Sequence, residues 1–101
     1  MRLVVAMIKP AQIESVRQAL GAVQVTRMTV CDTHGYDLAA PEAVAQEAML
    51  EIAVNDDFVD RAVAAITGVL TAGADTSGRV HVLPMSDAVQ LYRAVRGPEA
   101  V

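Results

Sequence analysis

The chain has 101 residues, of which 53% are hydrophobic and 3% aromatic, and 8 basic against 12 acidic side chains give a net charge of −4. This length suits a single domain over residues 1–101, and the composition requires an aliphatic core. No basic cluster is interleaved with aromatic residues, which argues against binding to nucleic acid.

Two features bear on the cellular compartment. The apolar run at residues 3–8 is too short to span a bilayer or to form the core of a signal peptide. Cys31 is the lone cysteine and cannot form a disulfide within the chain, which suits a reducing environment. We therefore expect a cytoplasmic protein that does not insert into the membrane.

The first part of the chain predicts a strand, a helix and a second strand. Residues 3–8 are continuously apolar, as in a strand buried on both faces. Pro10 suits the first turn of a helix. Apolar residues then recur at helical spacing at Ile13, Val16, Leu20 and Val23. Residues 25–32 are rich in β-branched side chains and predict a strand that ends at His34-Gly35.

The second part predicts another strand, helix and strand. Leu50, Ile52 and Val54 alternate with Glu51 and Ala53, which is typical of a strand. Asn55 is expected to cap a helix, with two aspartates near the positive end of the helix dipole. One apolar stripe of this helix is formed by Val59, Ala62, Val63, Ile66 and Leu70. Residues 79–83 predict the last strand, and residues 86–93 fit either a helical turn or a short strand.

The element order β-α-β-β-α-β predicts an α+β, ferredoxin-like fold with an antiparallel sheet. Right-handed crossovers place both helices on one face of that sheet. Both faces of the first strand are apolar, however, because Leu3, Val5 and Met7 alternate with equally apolar neighbours. A monomer rarely exposes such a face, so we expect a homo-oligomer formed through the sheet.

The segment 72–79 connects the second helix to the last strand and is composed mostly of small residues. Its backbone N–H groups could surround an anion, with Ser77 and Arg79 as additional donors. An ordinary connection with glycines is the more common use of such a sequence. The segment is not a Walker loop, because the Gly-Lys-Ser/Thr ending is missing.

Other reactive residues give weaker signals. Cys31, His34 and His81 are the only cysteine and histidines, too few for a convincing metal site, and Cys31 is better explained as a small core residue. Glu51 either faces solvent or accepts a hydrogen bond from a ligand. No carboxylate pair or Ser-His-Asp set is visible, so we do not expect an enzyme.

An ordered set of segments resembles the PII signal-transduction family. Met7-Ile8-Lys9-Pro10 is similar to its first strand and helix start, and His34-Gly35-Tyr36 to the beginning of its T-loop. Residues 50–57 are similar to its third strand and second helix cap. Val80-His81-Val82-Leu83-Pro84 is similar to the strand after its nucleotide-binding B-loop, which here corresponds to segment 72–79.

The resemblance implies a cytoplasmic homotrimer that binds an adenine nucleotide (ATP, ADP or AMP) between subunits and regulates a partner protein, a transporter or an enzyme. It also implies the following nucleotide-binding residues: Met7, Thr29, Gly35, Glu51, Ala53, Thr76, Ser77, Gly78 and Arg79. Two phosphate-binding arginines of the family correspond to Gln90 and Tyr92. Their loss makes ADP or AMP as suitable as ATP, unless Arg93 or Arg96 compensates.

Residues 34–49 depart most from the family. They form a short T-loop region without lysine or arginine, and Glu47 stands near the place of a family lysine that helps to bind 2-oxoglutarate. We therefore expect no 2-oxoglutarate response, and because the modifiable tyrosine of the family's T-loop has no counterpart here, we expect no uridylylation of this loop. Residues 41–48 favour one or two helical turns, which at this length need to dock on the rest of the protein to be stable. PII-like relatives with short loops, including those linked to inorganic-carbon uptake, are the nearer functional comparison.

Two alternatives to a nucleotide sensor remain. The chain could be a PII-fold scaffold or a sensor of a small anion such as bicarbonate, with a degenerate nucleotide site. It could also be a small enzyme or metal-handling protein that uses Cys31, His34 and His81.

Overall fold

The computed structural model describes residues 1–73 and 77–101, and for residues 41–43 it describes the backbone alone. The elements in chain order are β1 (Arg2–Ile8), α1 (Ile13–Ala22), β2 (Thr29–Asp37), β3 (Ala40–Val54), α2 (Val59–Thr71), β4 (Arg79–Pro84), β5 (Val89–Gln90) and β6 (Val95–Arg96). Short 3-10 turns precede both helices and follow β6.

Strands β1 to β4 form one antiparallel sheet in the order β2-β3-β1-β4. The predicted ferredoxin-like β-α-β-β-α-β arrangement is therefore confirmed. Strand β1 lies in the middle because its continuous apolar sequence tolerates neighbours on both edges and packing on both faces. Its Val4 pairs with Ile52 of β3 on one side and Val82 of β4 on the other.

The core lies between one face of this sheet and the two helices, which pack against each other. Its buried members among the described residues are all aliphatic, as the composition predicts. They are Val4, Ala6, Ile8, Val16, Leu20, Ala48, Leu50, Ile52, Val54, Ala62, Ile66 and Leu70. The alternation along β1 and β3 and the helical spacing along α1 and α2 place these side chains on the same side.

The opposite side of the sheet carries no helix, and we call it the helix-free face. It contains the residues of β1 that alternate with the core: Leu3, Val5 and Met7, all half-buried in the single chain. The register brings Glu51 and His81 to either side of Val5. Two apolar faces on one central strand are thus observed as predicted.

Strands β2 and β3 form a long hairpin where the sequence predicts a break and a helical segment. Strand β2 continues through His34-Gly35 to Asp37, and β3 begins at Ala40. Leu38 and Ala39 form the turn, in which Asp37 accepts a hydrogen bond of 2.9 Å from the N–H of Ala39. The expected helical turns at residues 41–48 are wrong, because pairing with β2 satisfies the backbone that a short isolated helix could not stabilise.

Two local predictions are also corrected near the chain ends. Asn55 precedes the turn before α2 but makes no side-chain cap; its Nδ2 instead donates to the carbonyl of Pro98 at 3.0 Å. Asp56, in the first turn as expected, accepts from the Met1 ammonium at 2.9 Å. The tail forms the small hairpin β5–β6 rather than a helical turn at residues 86–93.

Candidate functional site

An open cleft of about 450 Å³ lies beside the start of β2, the end of β3 and the tail. Cavities of this size hold small organic ligands. The predicted site residues Thr29, Glu51 and Ala53 line it. The tail contributes Gln90 and Tyr92, the two positions at which the resemblance noted above implies that arginines have been lost.

Strand register explains why the three predicted residues come together. Thr29 of β2 pairs directly with Glu51 of β3. Glu51 and Ala53 alternate with the buried Leu50 and Ile52, so both lie on the helix-free face. Glu51 is half-buried rather than fully solvated, and it is therefore available to accept a hydrogen bond from a ligand in the cleft.

The hairpin β5–β6 forms the other wall of the cleft. The N–H of Gly97 donates to the carbonyl of Ala88 at 2.9 Å, and Arg96 forms an ion pair with Asp87. The Arg96 guanidinium, with a smaller contribution from the N–H of Ala88, holds the pKa of the Asp87 carboxyl below its ordinary value. Arg96 therefore pairs with Asp87 within the hairpin. It does not line the cleft, so it does not replace the lost arginines there.

Two arginines, Arg27 and Arg93, line the cleft. Arg27 donates a hydrogen bond to the hydroxyl of Tyr92, and its guanidinium carbon lies 5.1 Å from the centre of the Tyr92 ring. Arg93 donates to Oε1 of Gln90 at 2.5 Å. Arg93 is one of the two compensating cations considered from the sequence, whereas the sequence gives no reason to expect Arg27 at this site. Its position two residues before Thr29 is the one local signal that could have identified it.

The remaining predicted residues lie outside the lining of this cleft. Met7 and Arg79 pair across β1 and β4 on the helix-free face, and Ser77 and Gly78 lead into β4. Thr76 lies outside the described residues. Strands β2 and β4 are separated by β3 and β1, so Thr29 and Arg79 stand at opposite edges of the sheet, roughly 14 Å apart across the strands and offset along them as well.

Arg79 forms an ion pair with Glu47, whose Oε2 lies 3.5 Å from the guanidinium. Glu47 also lies against Gly35, where an added Cβ would come within 2.5 Å of Oε1. Gly78 has a packing role, because a Cβ there would lie 2.8 Å from Cδ1 of the core residue Leu70. Gly78 is therefore explained by its close packing on Leu70, independently of any ligand, whereas the contact at Gly35 is with the mobile end of the Glu47 side chain.

Cys31, His34 and His81 do not converge. Cys31 is half-buried on the helix-free face and is not part of the core, which corrects the sequence-based interpretation. His34 lies within β2 on the opposite face from Cys31, and His81 lies on β4 at the other edge. Among residues 1–73 and 77–101, no three His, Cys, Asp or Glu side chains cluster as a metal site.

Neither helix in the described part of the chain has the length and apolar character needed to cross a membrane.

Comparison with known proteins identifies the family. A family model described as Nitrogen regulatory protein P-II matches residues 1–94. Nitrogen regulatory protein GlnK1 of Methanosarcina mazei is 33% identical over 116 residues, which cover 100% of this chain and 97% of that protein. Nitrogen regulatory protein P-II of Rhizobium etli is 31% identical over 112 residues, with 100% of both chains covered.

A solved structure agrees with these relatives. The crystal structure of Arabidopsis thaliana PII bound to citrate matches with a TM-score of 0.84 and 27% sequence identity, over 98% of this chain and 87% of that one. The fold, the family model and the relatives all lead to the same conclusion: this chain belongs to the nitrogen regulatory protein P-II family, whose members are regulatory proteins.

Proposed function

We propose that this protein is a cytoplasmic P-II homotrimer that binds an adenine nucleotide and regulates a partner protein, a transporter or an enzyme, without catalysis of its own. The observation that carries the proposal is the cleft. Thr29, Glu51 and Ala53 were selected from sequence resemblance alone, and they line one cavity of ligand size. In the same proposal residues 1–101 form one domain, with residues 34–49 as a short T-loop and residues 72–79 as the B-loop.

The nucleotide site is proposed to be shared by two copies of the chain. Met7, Ser77 and Arg79 lie away from the cleft, near the other edge of the sheet. Association through the apolar helix-free face would bring the Arg79 edge of one copy to the cleft of the next. In this arrangement Ser77, Gly78 and Arg79 serve the phosphates, while Glu51 accepts from a ribose hydroxyl.

The hairpin β2–β3 argues against a 2-oxoglutarate response and against uridylylation of the short T-loop. Residues 34–49 contain no lysine or arginine. The Glu47 side chain is mostly shielded from solvent, and its carboxylate lies where a dianion such as 2-oxoglutarate would need a cation. We propose that nucleotide occupancy alone, rather than a second dianionic effector, sets the state that a partner recognises.

Calorimetric titration of the purified protein with ATP, ADP and AMP tests the proposal. We expect saturable binding of at least one of them by a protein that sediments as a trimer. A folded trimer that binds none of the three would overturn the nucleotide-sensing function while leaving the family assignment intact.

A second candidate is a sensor of a small anion, or a scaffold, with a degenerate nucleotide site. The Arg79–Glu47 ion pair favours it, because the proposed phosphate cation is already engaged by a carboxylate. The related Arabidopsis thaliana PII was crystallised with citrate, a small polyanion. In this alternative, Arg79→Ala leaves ligand-dependent thermal shifts unaltered, whereas a nucleotide sensor loses them in part.

A further inference from the structure

Most arginines of this chain are neutralised within the chain itself. Arg2, Arg17, Arg79 and Arg96 form ion pairs with aspartate or glutamate side chains. The others have no carboxylate partner among residues 1–73 and 77–101. These are Arg27, Arg61 and Arg93. The uncompensated positive charge is thus restricted to a few sites in a protein whose net charge is −4.

Two of these three arginines, Arg27 and Arg93, line the same 450 Å³ cleft. Glu51 is the acidic side chain among the described lining residues, and Val101, the last residue, also lines the cleft. Two guanidinium groups without a carboxylate partner in the described chain can bind an anionic ligand, and the Glu51 carboxylate can accept from a hydroxyl of the same ligand. Organic phosphates with a hydroxyl-bearing sugar have both features.

Both guanidinium groups are oriented by neighbouring residues. Arg27 stacks over Tyr92 and donates to its hydroxyl. Arg93 donates through Nε to Gln90 and through a terminal nitrogen to the carbonyl of Glu99, at 2.5 and 2.6 Å. A guanidinium has five N–H donors, so each group keeps most of its donors for a ligand.

We propose that Arg27 and Arg93 bind the phosphate groups of the ligand in this cleft, and that Tyr92 and Gln90 position them. Gln90 and Tyr92, which stand where the resemblance implies lost arginines, would then orient Arg93 and Arg27, two arginines from other positions in the chain. The assignment of a nucleotide as the ligand rests on the proposed function. The anion-binding cleft itself can be tested without a nucleotide.

The experiment compares Arg27→Gln and Arg93→Gln with Arg61→Gln as the matched control. Arg61 also lacks a carboxylate partner in the described chain and also stacks over an aromatic ring, with 4.4 Å to the centre of Phe58, but it does not line the cleft. Affinities for ADP and for inorganic tripolyphosphate are measured by calorimetry at two salt concentrations. Each cleft variant is expected to weaken binding about tenfold, whereas Arg61→Gln changes it by less than about twofold.

The positioning role is tested separately with Tyr92→Phe, which keeps the ring and removes the hydroxyl that accepts from Arg27. We expect a loss of about threefold in the wild-type background and no further loss in Arg27→Gln. Equal losses in both backgrounds would show that Tyr92 contacts the ligand independently and would overturn its positioning role.

The outcomes separate this inference from the proposed function. Tripolyphosphate binding that depends on Arg27 and Arg93, without nucleotide binding, supports the inference and overturns nucleotide sensing. Nucleotide binding that is equally strong in wild type, Arg27→Gln and Arg93→Gln supports nucleotide sensing and overturns the inference. Failure of the folded wild-type protein to bind either compound overturns both.

Discussion

Arg79 and Glu47 form an ion pair across the end of β1, with 3.5 Å between the guanidinium and the carboxylate. Glu47 is held beside Gly35, where no side chain competes for its position. The pair connects the hairpin β2–β3 to the segment that leads into β4. Any anion that uses Arg79 must therefore compete with a carboxylate from the same chain.

Glu47→Gln is expected to strengthen binding of an anionic ligand at Arg79. The guanidinium side chain is 54% exposed, so the pair is worth little and the gain should be only about two- to fivefold in affinity. Calorimetry with ADP measures it. Glu14→Gln, which breaks the Arg17–Glu14 pair on α1, makes the same change in net charge and should have no effect. Equal effects from both substitutions would assign the gain to net charge alone.

Gly78 and Gly68 should respond in opposite directions to substitution by alanine. A Cβ at Gly78 meets Leu70 of the core at 2.8 Å, whereas a Cβ at Gly68, within α2, has nothing within 4 Å. We expect Gly78→Ala to lower the free energy of unfolding by about 1–3 kcal/mol. Gly68→Ala should raise it by about 0.5–1 kcal/mol because alanine favours the helix. Chemical denaturation measures both, and a neutral Gly78→Ala would show that the loop can move away from Leu70.

The tail hairpin should loosen in acid. The pKa of Asp87 is lowered, chiefly by its hydrogen bond with Arg96, so the charged carboxylate stabilises the hairpin. This contribution is complete above the pKa of an unfolded aspartate, about 4, and is lost as the pH falls through the lower folded value. NMR signals of residues 88–97, followed from about pH 7 to about pH 2, report it.

Asp87→Asn should loosen the tail slightly at neutral pH and reduce the acid-induced change in those signals, because an ion pair this exposed contributes little. Asp57→Asn removes an exposed aspartate from the turn before α2 and serves as the control. A tail that is equally ordered in wild type and Asp87→Asn would contradict the role of the ion pair.

The helix-free face should be the surface through which copies associate. Leu83 and Val82 are adjacent on β4 and are similarly exposed, at 43% and 40%, but they lie on opposite faces of the sheet. Leu83→Glu is expected to shift the protein from trimer to monomer, because a charge would be buried in the interface. Val82→Glu should leave the trimer intact. Sedimentation velocity distinguishes the two, and dissociation by Val82→Glu alone would place the interface on the helix side.

Local patterns in the sequence were sufficient to predict the central part of the fold. The apolar run of β1, the alternation of Leu50 with Glu51, and the helical stripe that includes Ile66 depend on neighbours within a few residues. These patterns predict the order of elements and the aliphatic core, and the structure confirms both. Periodicity alone does not connect Thr29, Glu51 and Ala53; the family resemblance named them together, and the structure places them along one cleft, while their binding role stays a prediction.

The errors occur where distant residues determine the structure. Residues 44–48 include alanine, glutamine and glutamate, which favour helix, yet pairing with β2 makes them a strand. The Asn55 side chain donates a hydrogen bond to the carbonyl of Pro98 and does not cap the helix that it precedes. Arg27 and Tyr92 meet although 65 residues separate them, and no local pattern can indicate such a contact.

Mixed assembly of two variants provides the most direct test of a nucleotide site shared between copies. Arg79→Ala and Glu51→Ala remove one residue from each proposed half of the site, and each variant alone should bind ADP poorly. When equal amounts are refolded together, about one site in four should combine two intact halves and regain wild-type affinity. Calorimetric titration with ADP counts these sites. If the mixture contains no site of wild-type affinity, the two halves do not act between neighbouring copies, and the shared nucleotide site is wrong.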